Sequence, residues 1–269
     1  MLCDFHIHTD YSGDSKTPPA LQAEAAIALG IPEICITDHH DPGSESMTNV
    51  HYLLEIPPYL NGIRRLAEEY EGKLAIRTGI ELGLMLREQT ELERLEAELP
   101  VDFILGSCHF TDGYDIYDRA YYAGKTEKEA YFRYLESTLE RIRVFDCFDS
   151  LAHLDCILRY GPEKNRNFRP EDSDDADKID AVFRALIEKG KALECNTAGY
   201  KYGLGHPNPH EAILKRYHEL GGELLTIGSD AHRPEEVGKE FTRAAEILKD
   251  CGFRYYTVYR ERKPVFLKP

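Results

Sequence analysis

The chain has 269 residues, which is enough for one large α/β domain or two small ones. Hydrophobic residues make up 42% of it, so a buried core can form and a disordered chain is disfavoured. The formal net charge of -15 argues against binding to long nucleic acid, because an acidic surface repels the phosphate backbone. A small anion can still bind where cations supply a local positive field.

Short apolar segments alternate with longer amphipathic segments along the chain. Strands are predicted at residues 2–7, 33–37, 74–80, 102–107, 148–152, 192–195 and 224–228, with a weaker one at 255–258. Helices are predicted at residues 19–29, 47–70, 91–99, 125–145, 174–189, 210–220 and 235–249. This alternation is typical of parallel β/α architecture. Because no internal linker is evident, one closed barrel over residues 1–269 is favoured over two domains, and a doubly wound open sheet is the alternative.

The first strand ends in two histidines, His6 and His8. Residues two apart in a strand point to the same side, so both imidazoles can reach one point in space. This is a metal-binding arrangement at the end of the strand. Two hydrogen-bonded core histidines would give the same pattern.

Ligand-type residues recur where five later apolar segments stop. They are His39 in the segment Thr37-Asp38-His39-His40, then Glu81, His109 and His153, and finally Asp230 and His232. In parallel β/α folds the carboxyl ends of the strands meet at one face, where active sites lie. A cluster of this kind would be costly to bury without cations. The sequence therefore predicts a metal site with more than one ion.

These motifs resemble those of the polymerase and histidinol phosphatase superfamily, called PHP. The motifs HxH, TDH, GxE, a lone histidine, AHLD and SDAH occur in the family's order and extend from His6 to His232. The resemblance implies a distorted, TIM-like (β/α)7 barrel with the metal site at the carboxyl ends of its strands. It also implies two or three divalent ions, variously manganese, iron or zinc.

The resemblance implies a ligand set for each ion. One ion would be held by His6, His8, Glu81 and Asp230, and Glu81 would bridge to a second ion held by His109 and His153. A third ion would use His39, His232 and Asp14, the last in a position where many family members have histidine. An aspartate there gives a harder, oxygen-donating site. Asp10 and Asp38 are expected to orient ligand histidines.

Within the family the chain is most similar to the stand-alone histidinol-phosphate phosphatases. The resemblance implies hydrolysis of L-histidinol phosphate, a small phosphate monoester, as a step in histidine biosynthesis. The residues expected to take part in catalysis are Glu81, Asp230, His232 and Arg159. Arg159 and Lys201 follow strands and are expected to contact the phosphate. Asp115 and Asp118 could accept hydrogen bonds from the substrate's amine and imidazole, or could belong to a solvated loop.

Three other functions fit the same motifs. A PHP phosphoesterase could act on another small ester, such as a nucleotide. A PHP domain can also be a metal-binding module without turnover, although here every ligand position is filled. A metallo-amidohydrolase would normally place a lysine at the bridging position, where this chain has Glu81.

The sequence also bears on the cellular compartment. No apolar run approaches the roughly 20 residues that span a membrane, and the first residues lack the pattern of a signal peptide. The seven cysteines form no CxxC pair. We therefore expect reduced thiols in a cytoplasmic protein without a membrane partner.

Overall fold

In the computed structural model, residues 2–163 and 176–269 are described, and strands alternate with helices along them. The strands are β1 (Asp4–Ile7), β2 (Glu33–Ile36), β3 (His39–His40), β4 (Ala75–Gly83), β5 (Phe103–Ser107), β6 (Phe110–Thr111), β7 (Tyr114–Asp115), β8 (Ser150–Leu151), β9 (Ala192–Asn196), β10 (Leu225–Gly228), β11 (Tyr256–Arg260) and β12 (Lys263–Leu267). The helices are α1 (Pro19–Ala28), α2 (Ile56–Glu69), α3 (Gln89–Glu98), α4 (Arg119–Tyr122), α5 (Glu127–Val144), α6 (Ala176–Glu188), α7 (Ala198–Lys201), α8 (Glu211–Glu219) and α9 (Phe241–Asp250).

The main sheet is parallel and closes on itself. Its order is β1, β2, β4, β5, β8, β9 and β10, with β3 pairing beside β4. The ring closes between its first and last strands, where the His8 amide donates to the Ala231 carbonyl at 2.9 Å and the Asp230 amide donates to the His6 carbonyl at 2.8 Å. The predicted (β/α)7 barrel is thus confirmed, and the open-sheet alternative is excluded.

The barrel strands are buried throughout most of their length. Every residue of β1, β2, β5, β9 and β10 is buried. Helices cover the outer face of the sheet, so these strands lie between two packed layers and read as nearly continuous apolar runs. All seven strands point the same way, so their carboxyl ends open at one face of the barrel.

Two predicted helices begin later than expected. The helix predicted from residue 47 begins at Ile56, because Pro57 and Pro58 lack an amide proton and are tolerated only in a first turn. The helix predicted from residue 235 begins at Phe241. A short 3-10 turn precedes it, and Gly238 with a φ of 61° separates the two.

A carboxyl-terminal hairpin closes the other end of the barrel. The sequence indicated only β11; β12 escaped prediction because Pro264 argues against a strand except at an edge. The hairpin reaches residues that lie at the starts of barrel strands. Arg260 pairs with Glu33 at 2.6 Å, and the Arg262 amide donates to the Asp102 carbonyl at 2.9 Å. The hairpin and the metal-type residues therefore lie at opposite ends of the barrel.

Two further sequence predictions concern the start of α6 and the number of domains. Residues 174 and 175, where the fifth predicted helix starts, lie outside the described residues, and this helix is described as α6 from Ala176. The single-domain organisation over residues 1–269 stays a prediction. Within residues 2–163 and 176–269, none of the helices combines the length and the apolar character that crossing a bilayer requires.

Candidate metal centre

The nine side chains predicted to bind metal lie together at the carboxyl-terminal mouth of the barrel. Strands far apart in sequence supply them, since parallel strands end at the same face. Overlapping groups of three place their donor atoms within 4.8 Å of one another. The nine residues are His6, His8, Asp14, His39, Glu81, His109, His153, Asp230 and His232.

Glu81 lies at the centre of this cluster and is fully buried on β4. Its Oε1 atom lies 3.2 Å from His109 Nε2 and 2.9 Å from His153 Nε2. Its Oε2 atom lies within 3.4 Å of a ring nitrogen of each of three other histidines, namely His6, His8 and His39. One carboxylate is therefore shared between two groups of imidazoles, which is the arrangement a bridging ligand requires.

Several buried nitrogen and oxygen atoms that could bind metal have no hydrogen-bond partner among the described residues. They include Oε2 of Glu81, Nδ1 of His39 and Oδ2 of Asp41. An unpaired buried carboxylate oxygen is costly, and a cation removes that cost. Imidazole nitrogens and carboxylate oxygens are donors that zinc, manganese and iron accept. The residues present therefore fit divalent metal ions.

The charges of the cluster keep its carboxylates ionised. Burial alone would raise the pKa of Glu81, but His6 and His39 are among the histidines that hold this pKa well below its usual range. Burial likewise opposes ionisation of Asp230, yet His6 and Arg159 hold its pKa well below normal. Both carboxylates are thus available as anionic ligands at any pH near neutrality.

A third group of donors lies closer to solvent. Asp14 Oδ2 is 3.2 Å from His232 Nε2 and 3.5 Å from His39 Nε2. The His8 ring stacks on both histidines, with centroids 4.3 Å from that of His39 and 4.2 Å from that of His232. The Asp14 and His232 side chains are 28% and 21% exposed, whereas Glu81 is fully buried.

An outer chain of hydrogen bonds orients one of these histidines, His8. Asp38 accepts a hydrogen bond from the Ser12 hydroxyl at 2.7 Å, and that hydroxyl lies 3.0 Å from His8 Nδ1. Asp38 therefore reaches a candidate ligand through Ser12, while Asp10 is exposed at the surface. His40 points away from the cluster, since its Nδ1 accepts from the Leu54 amide.

Sequence reasoning missed two carboxylates behind the cluster. Asp41 Oδ1 lies 2.8 Å from His109 Nδ1, and Glu194 Oε1 lies 2.7 Å from His6 Nδ1. Each is buried and faces the ring nitrogen that is turned away from Glu81. One signal for Glu194 was available: an acidic residue inside an otherwise apolar strand, two positions from Asn196 and so on the same side of that strand.

The two predicted phosphate-binding cations occupy different surroundings. The buried guanidinium of Arg159 donates to Asp230 Oδ2 at 2.9 Å and to the side-chain oxygens of Asn196 and Asn208 at 3.0 and 2.8 Å. The Lys201 ammonium donates to the Asp230 carbonyl and pairs with Glu236 at 2.9 Å. Both cations therefore lie against Asp230, and the charge of Lys201 is also balanced by the Glu236 carboxylate.

The predicted acceptors of the loop after His109 also differ. Asp115 is partly buried, and its Oδ1 accepts from the Tyr117 amide at 2.9 Å. Burial raises the pKa of Asp115, and His109 is among the nearby groups that lower it. Asp118 is exposed, and it caps α4 by accepting from the Ala120 amide at 2.9 Å.

Three tyrosines from separate loops form an aromatic wall beside Arg159. The ring centroids of Tyr117 and Tyr160 are 4.1 Å apart, and those of Tyr160 and Tyr202 are 5.5 Å apart. The Arg159 guanidinium lies 4.8 Å from the Tyr202 centroid. The sequence did not single out these tyrosines, because only the fold brings the three loops together.

The amino-acid sequence is similar to those of known proteins. The sequence profile of the PHP domain matches residues 4–198. The histidinol-phosphatase of Lactococcus lactis subsp. lactis is 30% identical over 267 residues, which cover 97% of this chain and 95% of the relative. A protein of Thermotoga maritima named a probable histidinol-phosphatase is 31% identical, covering 96% and 95%. This chain belongs to the PHP family.

A solved structure supports the same relationship. The crystal structure of histidinol phosphate phosphatase from Lactococcus lactis matches with a TM-score of 0.88 at 30% identity, and covers 98% of each chain. That structure is a complex with zinc, L-histidinol and phosphate.

Proposed function

We propose that this chain is a metal-dependent phosphomonoesterase that hydrolyses L-histidinol phosphate to L-histidinol and phosphate. One observation carries the proposal: nine metal-type side chains, the buried Glu81 carboxylate among them, lie together at the barrel mouth. The near full-length similarity to an enzyme whose structure holds zinc, L-histidinol and phosphate supports the choice of substrate.

Two or three divalent ions fit the cluster, whether manganese, iron or zinc. One would be held by His6, His8, Glu81 and Asp230, the second by Glu81, His109 and His153, and the third by Asp14, His39 and His232. Bound there, such ions would supply a water of lowered pKa, so that hydroxide would be available near neutral pH, and positive charge for the phosphoryl oxygens.

The residues of the chain contribute orientation and charge. Arg159 is fixed by Asp230, Asn196 and Asn208, so its guanidinium needs no reorganisation before it contacts a phosphoryl oxygen. Asp230 and His232 lie next to each other, with Asp230 against Arg159 and His232 against Asp14, and each would hold an ion. Lys201 ties the Asp230 carbonyl to Glu236, and acts on the phosphate through the position of Asp230.

The organic part of the substrate is an imidazole with an amine. The tyrosine wall of Tyr117, Tyr160 and Tyr202 offers flat aromatic surfaces beside Arg159, on which an imidazole can stack. The Asp115 carboxylate, partly buried near His109, can accept a hydrogen bond from the amine.

The test is phosphate release from L-histidinol phosphate beside a panel of nucleotides and sugar phosphates. The protein is assayed loaded with zinc or manganese, and again after chelation. Selective turnover of L-histidinol phosphate that chelation abolishes is the expected result. Turnover of other esters only would support the metal site but would show that the substrate is a different phosphate ester. Stoichiometric metal binding without any turnover would favour a non-catalytic module.

Arg159→Met is expected to lower kcat/KM by roughly a hundred- to a thousandfold, because a fixed cation at a phosphoryl group stabilises developing charge. The metal-free variant should also be less stable, since the buried Asp230 carboxylate loses its partner. Steady-state kinetics and thermal melts measure both effects. Arg216→Met, which breaks the Arg216–Asp180 pair between helices α8 and α6, is the control. Equal kinetics in the two variants would contradict the role.

Asp115→Asn is expected to raise KM for L-histidinol phosphate by roughly tenfold. The hydrogen bond from the charged amine would then be accepted by a neutral amide oxygen instead of a carboxylate. Asp118→Asn is the matched comparison. Asparagine caps helices as well as aspartate does, so α4 should persist and KM should stay unchanged. A KM unchanged in both variants would remove both carboxylates from substrate binding.

A cytoplasmic location and the absence of long nucleic-acid partners complete the proposal. All seven cysteines are buried and free, as expected where thiols stay reduced. The charge of -15 opposes association with a phosphate backbone.

A further inference from the structure

Glu194 connects two candidate metal ligands from different strands. It lies on β9 and is 1% exposed. Its Oε1 atom is 2.7 Å from Nδ1 of His6, at the end of β1. Its Oε2 atom accepts the backbone amide of His153 at 2.8 Å, just after β8. One buried carboxylate thus holds a side chain on one side of the barrel mouth and a backbone segment on the other.

The first contact passes across an intervening strand. In the barrel, β10 lies between β9 and β1, so Glu194 reaches His6 over Gly228. A Cβ atom at Gly228 would overlap both Glu194 Oε1 and the Cβ of His6. The absence of a side chain at Gly228 is therefore what allows the pair to form.

The second contact supports an unusual backbone. His153 has a φ of 20°, a positive value that residues with a side chain seldom adopt. The hydrogen bond from its amide to Glu194 helps to hold this conformation. His153 Nε2 is thereby kept 2.9 Å from Glu81 Oε1.

The contact with His6 also sets where its proton lies. A carboxylate only accepts hydrogen bonds, so Glu194 keeps a proton on Nδ1 of His6, and an ion at the barrel mouth would take the place of any proton on Nε2. That Nε2 faces Glu81 Oε2 at 3.3 Å and Asp230 Oδ1 at 3.8 Å. It is the nitrogen that a shared ion would bind.

We propose that Glu194 is a positioning residue for metal binding: it fixes the tautomer and orientation of His6 and, through the backbone, the position of His153. The proposal rests on the metal-dependent function above. It assigns a role to a residue that touches neither the expected ions nor the substrate.

The Glu194→Gln variant separates this role from mere packing. Glutamine has the same shape but one donating and one accepting end. With its amide NH2 group at the Oε2 position, it would face two donors, the His153 amide and the Asn196 side chain. The favoured orientation therefore turns NH2 toward His6 Nδ1, which must then accept. The proton of neutral His6 moves to Nε2, the nitrogen needed for metal.

The experiment measures zinc affinity by competition with a chelator, together with zinc content after dialysis. Glu194→Gln is expected to weaken zinc binding by roughly ten- to a hundredfold. The control is Glu33→Gln, which alters a buried barrel carboxylate at the opposite end that pairs with Arg77 and Arg260. Glu33→Gln should lower the melting temperature yet keep full zinc affinity. Equal zinc affinity in Glu194→Gln and the unaltered protein would overturn the proposal.

A measurement on the unaltered protein guards against a variant that does not fold. Nitrogen-15 NMR of the zinc-loaded protein should show His6 protonated on Nδ1. Protonation of His6 on Nε2 would overturn the proposal. Neither measurement uses a substrate, so zinc binding that depends on Glu194 without turnover of L-histidinol phosphate would remove the proposed substrate and leave the role of Glu194 intact.

Discussion

Replacing Glu81 with glutamine is expected to lower kcat for phosphate release by at least about a thousandfold, and to reduce the amount of metal that stays bound. Glu81 contributes both of its oxygens to the cluster, each close to different imidazoles. The neutral amide of glutamine offers only one oxygen and no charge. Loss of a bridging anion worth several kcal/mol corresponds to a rate loss of this size.

The kinetics of Glu81→Gln should be measured together with metal content, since the two losses have one cause. Asp149→Asn is the matched control. Asp149 is also a buried carboxylate next to a barrel strand, but it pairs with Arg262 at the opposite end. The control should lose stability and retain metal and turnover. Full metal content with unchanged kcat in Glu81→Gln would show that this carboxylate does not bridge two ions.

Removing the metal ions is expected to lower the melting temperature by about 10 °C or more. An ion that binds only the folded chain, at a free concentration a thousand times its Kd, stabilises it by about 4 kcal/mol. In a chain of this size each kcal/mol corresponds to roughly 2–4 °C. Without ions, one buried polar atom in each of Glu81, Asp41 and His39 has no hydrogen-bond partner, which adds to the destabilisation.

Differential scanning calorimetry of the zinc-loaded and chelated protein, followed by re-addition of zinc, measures this effect. The melting temperature should recover on re-addition and should depend on the free zinc concentration. Magnesium at the same concentration is the control, because it prefers oxygen ligands and binds imidazole clusters poorly. A melting temperature that does not respond to zinc would argue against occupied sites in the folded chain.

The local pattern of the sequence was enough to predict the barrel and to indicate where its chemistry lies. A strand has a period of two, so the pair His6 and His8 had to face one side. Parallel strands share one carboxyl-terminal face, so Glu81 and His153 had to approach the same mouth. These inferences need only short-range geometry and strand direction, and they led to the cluster seen in the structure.

Helix starts were predicted less well. The amphipathic pattern extends across residues 47–70, yet α2 begins only at Ile56, because the prolines that follow can occupy only a first turn. The start of α9 was misplaced for a related reason. Its pattern extends over Gly238, whose positive φ interrupts the helix.

The sequence by itself determined the type of fold, the family resemblance and the residue types that meet at the mouth of the barrel. Only the tertiary structure decided which partners stand behind them. Glu194 reaches His6 across a strand through the space at Gly228, and Asp41 supports His109 from another loop. Contacts of this kind depend on how closely particular strands pack and on where a side chain is missing. Periodicity along the chain carries no information about either, because both are set by residues distant in sequence.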